Sequence, residues 1–410
     1  MKQYPVALSL EEGIACLLQE VSSKGTERIH TQEAFRRVLA EDIYAPEMVP
    51  PFARSPYDGY AFRAQDVAEA SKEHPVTLEI LEEIPAGHAP TCTVGAGQAV
   101  KILTGAPVPE GADAIEKFEV TEFTEKTVTI FSPLRSGDNV VPAGEDVSKG
   151  QLVLKKGIVL TAADCGILAA LGVTDVLVYE RVRISVISTG DELVQIEDAL
   201  APGKIRNSSA YTMEAFLTDW GHTVTRYGIV KDDVTAIAMA VKDVVATSDV
   251  VLTTGGVSVG DYDCLQDAMQ QLDAKVLFWK LKMKPGSAFL ASVYEGTPVI
   301  SLSGNPGAAM IAMMLVAQPV LRKMAGRADV SLETIEVTLK DGFRKKSKMR
   351  RFLPGRLRIV DGQAVLDLTP TQGNGMLSPL HGCNLIGEIP MDSPAMEAGS
   401  RIRAYVMDSI

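Results

Sequence analysis

The length, composition and charge of this chain exclude several classes of protein. Its 410 residues allow two to four domains, and 46% hydrophobic with 22% charged residues is the balance of a folded globular protein. The 52 acidic residues outnumber the 40 basic ones, which gives a formal net charge of −12. A chain this acidic is not expected to bind nucleic acid or an anionic membrane in general.

Cysteine usage and the N-terminal sequence predict a protein of the reducing cytoplasm. The five cysteines are scattered, odd in number and never spaced as CxxC, so neither a zinc site nor a disulfide framework is expected. Pro5 and the acidic residues around Glu11 are atypical of a secretory signal. The longest apolar run, residues 308–317, is about half the length of a membrane span, so no membrane partner is expected.

Helical patterns occur near both ends of the first 180 residues. Ser9 begins a capping-box sequence, and apolar residues follow it at helical period. A second, short helix is predicted near residues 31–39. A third is predicted over 161–171, where Thr161 caps the helix and Gly172 stops it.

The rest of the chain is predicted to form three further parts. Residues 50–144 contain short β segments separated by proline and glycine, which indicates a separate, mostly β domain. Between about 180 and 327, three β-branched runs each precede a glycine loop and a helical pattern, which predicts a parallel sheet covered on both faces. The last eighty residues alternate apolar with polar positions around a predicted hairpin turn at Asp361–Gly362, which indicates a small antiparallel β domain.

Three glycine loops follow the strands of the predicted parallel sheet, and ligands of such sheets gather at the carboxyl ends of the strands. Backbone N–H groups in these loops can turn towards an anion, and the N-terminus of the next helix adds positive potential. The alternative is that glycine only permits tight helix–strand packing, which is a weaker explanation for three loops than for one. The loop residues that we single out are Gly255, Gly256, Ser258, Asn305 and Pro306.

Carboxylates accompany these loops. Asp191 and Glu192 follow the first strand, Asp232 precedes a helix, and Asp263 ends the richest glycine loop. Such carboxylates either hold Mg²⁺, which prefers hard oxygen ligands, or accept hydrogen bonds from a donor-rich heterocycle. An aspartate at the start of a helix is often only a cap or a partner of the helix dipole, but Asp191 together with Asp263 favours a ligand site.

Three lysines, Lys280, Lys282 and Lys284, alternate just before a Pro285–Gly286 turn. In a strand they would share one face at spacings of about 7 Å and would repel one another unless an anion or acids lie among them. The turn favours a phosphate site here. A solvated edge strand protected by lysine remains an open alternative.

The sequence Gly256–Gly260 also matches the GxSxG pattern of a serine hydrolase, with Ser258 as the nucleophile. A serine hydrolase needs a histidine downstream of that serine. The one downstream histidine is His381, in the predicted C-terminal β domain. A hydrolase is therefore a remote alternative.

Ten short sequence stretches carry a family resemblance. They are PPF with SPYDGYA in 50–61, TGA at 104–106, PEGAD at 109–113, PAGED at 142–146, TGDEL at 189–193, TTGGVSVGDYD at 253–263, KMKPG at 282–286, SGNP at 303–306, Arg350 with Phe352, and QG with MLS in 372–378. In this order they resemble the MoeA-type molybdopterin molybdenumtransferases and the related E domain of gephyrin. The resemblance covers essentially the whole chain.

The resemblance implies a multidomain α/β plus β fold and a homodimer. A discontinuous N-terminal linker domain would occupy 1–49 and 145–179, with the mostly β domain 50–144 inserted into it. A central α/β domain with a parallel-type sheet would occupy 180–328 and bind molybdopterin. A β-barrel-like domain would follow at 329–410.

The resemblance also implies an activity, in which molybdate as substrate is inserted into adenylated molybdopterin, with Mg²⁺, and AMP is released. Further implied partners are the molybdopterin adenylyltransferase and molybdoenzyme chaperones. Carried over by position, the implied catalytic residues are Asp58, Thr104, Glu192 and Asp263, of which Glu192 and Asp263 are also implied metal ligands. The implied substrate-binding residues are Asp146, Asp232, Lys280, Lys284, Pro306, Arg350 and Ser378, which join Asp191, Gly255, Gly256, Ser258 and Asn305.

The chain departs from the family pattern in several places, one of which is the family's D-S-N, which reads N-S-S at 207–209. Val141 replaces an arginine, Ser287 and Ala288 replace a lysine and a proline, and Ser303 replaces another proline. Losing two cationic groups from an anion site leaves two alternatives open: a divergent paralogue that holds molybdopterin as a scaffold, or an insertase specific for tungstate.

Overall fold

A seven-stranded sheet forms the centre of the protein in the computed structural model, which describes residues 4–257, 264–369 and 373–407. Across the sheet the strands are Val6–Leu8, Lys275–Leu281, Phe289–Tyr294, Thr297–Leu302, Val250–Thr254, Arg183–Thr189 and Thr223–Val230. All pairs are parallel except those of Phe289–Tyr294, which is antiparallel to both neighbours. The parallel sheet predicted from the β-branched runs is thus confirmed, with one antiparallel strand added.

Helices cover both faces of this sheet, which is why its inner strands, such as Val250–Thr254 and Thr297–Leu302, are almost wholly buried. The helices are Leu10–Gln19, Ser208–Asp219, Val234–Val245, Cys264–Gln271, Pro306–Ala312 and Gln318–Met324, the last two joined by the π-helical turn Met313–Ala317. One face buries a cluster that includes Met213, Leu217 and Met310. The other face buries Val241 and Leu265.

The N-terminal segment packs on the central sheet. Strand Val6–Leu8 pairs with Lys275–Leu281, and the following helix begins at Ser9 with the predicted capping box. Leu10 and Leu17 of this helix belong to the core cluster of the sheet. The start of the predicted N-terminal domain therefore contacts the α/β domain closely, and the domain bounds stay a prediction.

A smaller layer combines residues from two separate stretches of the chain. Strand Thr26–His30 pairs with Asp175–Tyr179, and Ile43–Tyr44 pairs with Leu152–Leu154. The helix Ala162–Ala170 is capped by Thr161, which confirms that prediction.

The helix predicted near residues 31–39 is wrong. A single 3₁₀ turn, Thr31–Glu33, is present there, and Arg36 takes a left-handed conformation with φ of 59°. Val38 and Leu39 then form β-bridges to Val159 and Val178. These long-range pairings outweigh the local helical pattern.

The inserted part is a six-stranded sheet, as the proline- and glycine-separated segments predicted. In spatial order its strands are Ala114–Lys117, Gly59–Phe62, Gln98–Ile102, Val76–Ile84, Thr127–Ile130 and Glu122–Phe123. Short 3₁₀ turns, Ala64–Val67 and Phe118–Val120, connect them. Tyr60 and Phe62 fill one of its two small cores.

The C-terminal part is a closed five-stranded barrel. Its strands, around the ring, are Arg350–Val360, Gln363–Leu368, Thr334–Leu339, Arg401–Val406 and Leu385–Ile389, and the last pairs again with the first. The predicted hairpin turn is confirmed, with φ of 49° at Asp361 and 75° at Gly362. Strand Met283–Lys284 extends this sheet from the α/β part. Within the described residues, no helix combines the length and the apolar character needed to cross a bilayer.

Candidate functional site

The carboxyl ends of three neighbouring strands bring two predicted glycine loops together. Gly255 follows strand Val250–Thr254 with φ of 98°, and a Cβ at this position would collide with the carbonyl oxygen and Oγ1 of Thr189. A side chain at Gly304 would in turn meet the Cα of Gly255 at 3.3 Å. Only glycine permits this close approach of the loops. Ser258 and Asp263, further along the first loop, lie outside the described residues.

Two predicted carboxylates lie beside these loops. The Glu192 carboxylate folds back over Gly190, whose N–H donates to the carbonyl of Val230 at 3.1 Å. Burial and the negative charge of Glu192 raise the pKa of Asp232. Cys264, at the end of the glycine loop, donates its Sγ–H to the carbonyl of Asp232 at 3.3 Å. Cys264 thus links the end of the glycine loop to the backbone of Asp232, and Asp191 adds further negative charge near the Asp232 carboxylate.

These carboxylates supply oxygen ligands of the kind that Mg²⁺ prefers. Oδ1 of Asp232 is buried and accepts no hydrogen bond from the described residues, which leaves it available to a ligand. In the described ranges, no group of three or more histidine, cysteine, aspartate or glutamate side chains is arranged to hold a metal ion. Glu192 is one of the two predicted metal ligands and the other, Asp263, lies in an undescribed segment, so the metal site stays a prediction; Asp232 is a further carboxylate beside Glu192.

The three lysines do not share one face of a single strand, so that prediction is wrong for Lys280. This residue has φ of 72° and ends the regular alternation, and its ammonium group lies 3.8 Å from the ring centre of Trp279. Lys282 and Lys284 are exposed on one side of buried Met283. Lys280 therefore lies apart from Lys282 and Lys284, and the three lysines do not form one cationic row.

Lys284 lines a small cavity between the α/β part and the barrel, with a volume of about 70 Å³. Two further cations, Lys345 and Arg351, line the same cavity. Residues 373–376 of the barrel close it, since the carbonyl of Asn374 accepts the N–H of Ala308 at 3.0 Å. Three cations thus surround one small space.

The helix Pro306–Ala312 begins beside this cavity. Asn305 is the N-cap residue and Pro306 occupies the first turn, but the Asn305 side chain makes no capping hydrogen bond. Instead the Oγ of Ser303 accepts the N–H of Asn305 at 3.2 Å. Ser378 starts a 3₁₀ turn, Ser378–Leu380, that follows the cavity-closing loop.

Arg350 takes part in an ion-pair network that links the barrel to the first helix. Its Nε donates to Glu388 at 2.6 Å, and one terminal nitrogen donates to both oxygens of Glu11 at 2.6 and 2.7 Å. The other terminal nitrogen donates to the Tyr405 hydroxyl at 3.1 Å. Burial alone would lower the pKa of Arg350, but the hydrogen bonds to Glu388 and Glu11 hold it above its ordinary value.

Three predicted residues lie in or next to the inserted sheet. Thr104 donates two hydrogen bonds to Asp58. Asp146 lies on an adjacent segment, where its N–H donates to the carbonyl of Val49 at 3.0 Å. In the described part of the chain, no hydrogen bond or ion pair joins these residues to the strand-end loops of the central sheet. The predicted site residues thus form two separate groups within one chain.

Sequence reasoning missed Lys345 and Arg351, the two additional cations of the cavity. The dense basic run at 344–351 was a usable signal, because it contrasts with the acidic balance of the whole chain. It also missed Thr189, whose contacts with Gly255 depend on the three-dimensional pairing of strands.

Comparison with protein families assigns nearly the whole chain. Residues 8–172 match the MoeA N-terminal region (domain I and II), residues 185–323 match a probable molybdopterin binding domain, and residues 336–407 match the MoeA C-terminal region (domain IV). The glycine loops and the carboxylates at the strand ends lie within the second match. Such a fold and site define an enzyme of molybdenum cofactor biosynthesis.

Individual relatives agree with this class. The molybdopterin molybdenumtransferases of Staphylococcus aureus (strain MSSA476) and Staphylococcus epidermidis (strain ATCC 12228) are 33% and 32% identical to this chain over 402 residues, covering 98% of it and 96% of each relative. A solved MoeA protein of molybdopterin biosynthesis from Pyrococcus horikoshii OT3 superposes with a TM-score of 0.83 at 29% identity, covering 98% of this chain and 100% of that one. The chain belongs to the MoeA-type molybdopterin molybdenumtransferases, and it is a transferase.

Proposed function

We propose that this protein inserts molybdate into adenylated molybdopterin and releases AMP, in a reaction that depends on Mg²⁺. The observation that carries the proposal is the convergence of two glycine loops with the carboxylates Glu192 and Asp232 at one edge of the parallel sheet. A pterin phosphate joined to AMP needs both anion-binding backbone groups and acceptors for the N–H groups of the pterin.

The residues of the chain act mainly by binding and orienting the substrate. The backbone N–H of Gly256 binds a phosphate oxygen, since that of Gly255 donates to the carbonyl of Leu302, and Lys280 and Lys284 attract the oxyanion. Asp232, with its buried Oδ1, accepts a hydrogen bond from the substrate or holds the metal with its neighbour Glu192. Mg²⁺, when bound, offsets phosphate charge as AMP leaves.

A homodimer would complete the site. Asp58, Thr104 and Asp146 are separate from the strand-end loops within one chain, so a two-fold axis that brings the inserted part of one protomer to the α/β part of its partner would join the two groups. We expect twice the chain mass of 43.9 kDa by light scattering. A monomer at micromolar concentration would contradict this shared site.

The loss of the family arginine at Val141 is offset by a neighbour. Arg54 and Val141 form an antiparallel β-bridge with two backbone hydrogen bonds, of 2.9 and 3.0 Å. Residues paired in this way project their side chains from the same face of the bridge. Among the described residues, no ion pair engages the Arg54 guanidinium. We infer that Arg54 supplies the missing cation, which favours catalysis over the scaffold alternative.

The proposal also covers where the protein acts. A cytoplasmic enzyme would receive its substrate from the molybdopterin adenylyltransferase and pass its product to molybdoenzyme chaperones. Comparing molybdate with tungstate in one turnover assay distinguishes the two oxyanions. Ligand binding without AMP formation would support the scaffold alternative.

The decisive assay is AMP formation from adenylated molybdopterin with molybdate and Mg²⁺. Asp263→Asn should nearly abolish turnover, whereas Ser258→Ala should cost about ten- to a hundredfold, the loss of one hydrogen bond to a charged group. Lys284→Ala should weaken substrate binding, and Lys282→Ala is its matched control because Lys282 is exposed but does not line the cavity. A dead Ser258 variant beside a healthy Asp263 variant would support a hydrolase instead.

A further inference from the structure

Two cations from different parts of the chain lie side by side at the cavity between the α/β part and the barrel. The short strand Met283–Lys284 runs parallel to the barrel strand Arg350–Val360, and in this register Lys284 is the direct partner of Arg351. Both residues line the cavity. Like charges at directly paired positions of neighbouring strands repel one another, so this arrangement costs stability unless an anion lies between them.

No carboxylate of the cavity offsets the charge of this pair. Lys345 is a third cation in the lining, and none of the described residues that line the cavity is acidic. Asp341, four positions before Lys345, is not among them. Within the described ranges, the side chains of Lys284 and Lys345 form no ion pair and no hydrogen bond. The cavity therefore presents positive charge that the described protein leaves without a counter-charge.

Arg351 is held at one nitrogen and has its two terminal nitrogens free. Its Nε donates to the Oγ of Ser347 at 3.1 Å, and its guanidinium carbon lies 5.7 Å from the ring centre of Phe343. Ser347 is 1% exposed, so it is a fixed partner. No described residue accepts a hydrogen bond from the terminal nitrogens. A guanidinium fixed in this way offers paired N–H donors that match two oxygens of one oxyanion.

The neighbouring arginine is not available in the same way. Successive side chains of a strand point to opposite faces, so Arg350 and Arg351 face different surroundings. Arg350 donates to Glu388 and to Glu11 of the first helix, each at 2.6 Å. Its charge is thus engaged by two carboxylates of the protein, whereas Arg351 faces the cavity.

The cavity is small and largely apolar apart from its cations. Its volume is about 70 Å³. At roughly 10–15 Å³ for each water-sized probe, this is space for about five water molecules, which suits the four oxygens of a tetrahedral oxyanion and excludes a nucleotide. Ile311, Phe352 and Leu353 form part of its wall. Apolar walls strengthen the attraction between the cations and an anion.

We propose that Arg351, Lys345 and Lys284 form a clamp for one doubly charged tetrahedral oxyanion, and that Arg351 rather than Arg350 is the arginine that contacts it. The assignment rests on the proposed function, whose reaction takes molybdate as substrate and gives phosphate monoesters as products. Both are dianions of this shape. A singly charged oxyanion would leave two of the three cations without a counter-charge, so the clamp selects dianions.

Calorimetric titration of the purified full-length protein tests the clamp without any pterin. The probes are molybdate, methyl phosphate and perrhenate, at mildly alkaline pH and constant ionic strength. The first two are then dianions, and perrhenate is a tetrahedral oxyanion with a single charge. We expect saturable binding of at least one dianion and about tenfold weaker binding of perrhenate. The dianion that binds more tightly identifies the group that occupies the clamp.

Variants test the contacts. Arg351→Gln and Lys345→Gln should each weaken binding of the better dianion by about tenfold or more. The matched controls are Arg358→Gln, in the same strand, and Lys346→Gln, next to Lys345, because each removes the same charge from an exposed side chain that does not line the cavity. Circular dichroism verifies folding. If Arg351→Gln does not fold, Lys345→Gln at its exposed position decides.

The clamp is overturned if neither dianion binds, if perrhenate binds as tightly, or if the two controls weaken binding as much as the two clamp variants. AMP formation, measured separately on the same proteins, tests the proposed function. Dianion binding that depends on Arg351 and Lys345 in a protein that forms no AMP would support the clamp and contradict the reaction. AMP formation by wild type with unchanged dianion binding in Arg351→Gln and Lys345→Gln would overturn the clamp alone.

Discussion

Thr104 donates both its backbone N–H and its Oγ1–H to the same carboxylate oxygen of Asp58, each at 2.7 Å. The pairing of strand Gly59–Phe62 with Gln98–Ile102 brings these two residues together. The backbone hydrogen bond and then the side-chain one lower the pKa of Asp58. Thr104 therefore keeps Asp58 ionised and fixes the direction of its second oxygen.

The first prediction tests this arrangement. Thr104→Val keeps the backbone donor and removes the hydroxyl, so the pKa of Asp58 should rise and turnover should fall by about three- to tenfold. Thr121→Val, which removes a hydroxyl that bonds the carbonyl of Phe118 in the same sheet, should leave turnover unchanged. The measurements are AMP formation and NMR titration of the carboxylate. Equal turnover in both variants would contradict a role for Thr104.

The second prediction concerns Asp232, whose pKa is raised by burial and by Glu192. The folded state holds the proton more tightly than the unfolded state, so stability is lost as pH rises from the ordinary value of 3.8 through the folded value. Asp232→Asn should therefore melt at a higher temperature than the wild type at neutral pH, with a smaller difference in acid. It should also lose most turnover and most stabilisation by Mg²⁺. A variant stabilised by Mg²⁺ as strongly as the wild type would exclude Asp232 as a ligand.

The third prediction exchanges a cation across a β-bridge. Arg54→Ala should weaken the apparent affinity for molybdate by about tenfold if Arg54 replaces the cation that is absent at Val141. Adding Val141→Arg to this variant should restore affinity, because the two side chains leave neighbouring positions. Arg63→Ala, which removes a cation paired with Asp66 in the same part, is the control. If the double variant does not regain affinity for molybdate, Arg54 does not replace the cation that is absent at Val141.

The fourth prediction separates structural from substrate roles of Arg350. Its side chain is 18% exposed and that of Glu388 is 12% exposed, so Arg350→Ala leaves a buried carboxylate unpaired. We expect a loss of about 3–5 kcal/mol in the free energy of unfolding. Glu11→Gln, at a side chain 61% exposed, should cost at most about 1 kcal/mol. Urea unfolding measures the stability of both variants. If Arg350→Ala keeps its stability but loses substrate affinity, Arg350 binds substrate rather than holding the structure together.

Local signals predicted much of the fold. Capping at Ser9 and Thr161 and the turn at Asp361–Gly362 were predicted correctly, because each depends on a few adjacent residues. The helix near 31–39 was not, since the left-handed Arg36 and its neighbouring bridges are set by distant strands. Local pattern is decisive only where no long-range pairing competes with it.

The candidate site divides in the same way. Glycines and carboxylates at strand ends were predictable, because parallel strands bring their carboxyl ends to one edge. The ion pair between Arg350 and Glu11 could not be predicted, because 339 positions separate the two residues in sequence. The position of Lys280 also required the structure, since its positive φ breaks the alternation that the sequence suggests.

The last prediction concerns the dependence of stability on pH through His222. Its folded-state pKa of about 3 lies below the ordinary 6.5, so the unfolded chain takes up a proton between these values while the folded protein does not. Stability should therefore fall as pH decreases from 6.5 towards 3, by at most about 5 kcal/mol from this group. The charged groups around the ring are Arg36, Arg181, Arg322, Arg327, Asp219 and Asp329.

His222→Gln removes the titration and should flatten this part of the curve of stability against pH, whereas His74→Gln, at an exposed histidine, should not. Urea unfolding across this range measures all three proteins, and parallel curves for wild type and His222→Gln would show that the histidine is protonated alike in both states.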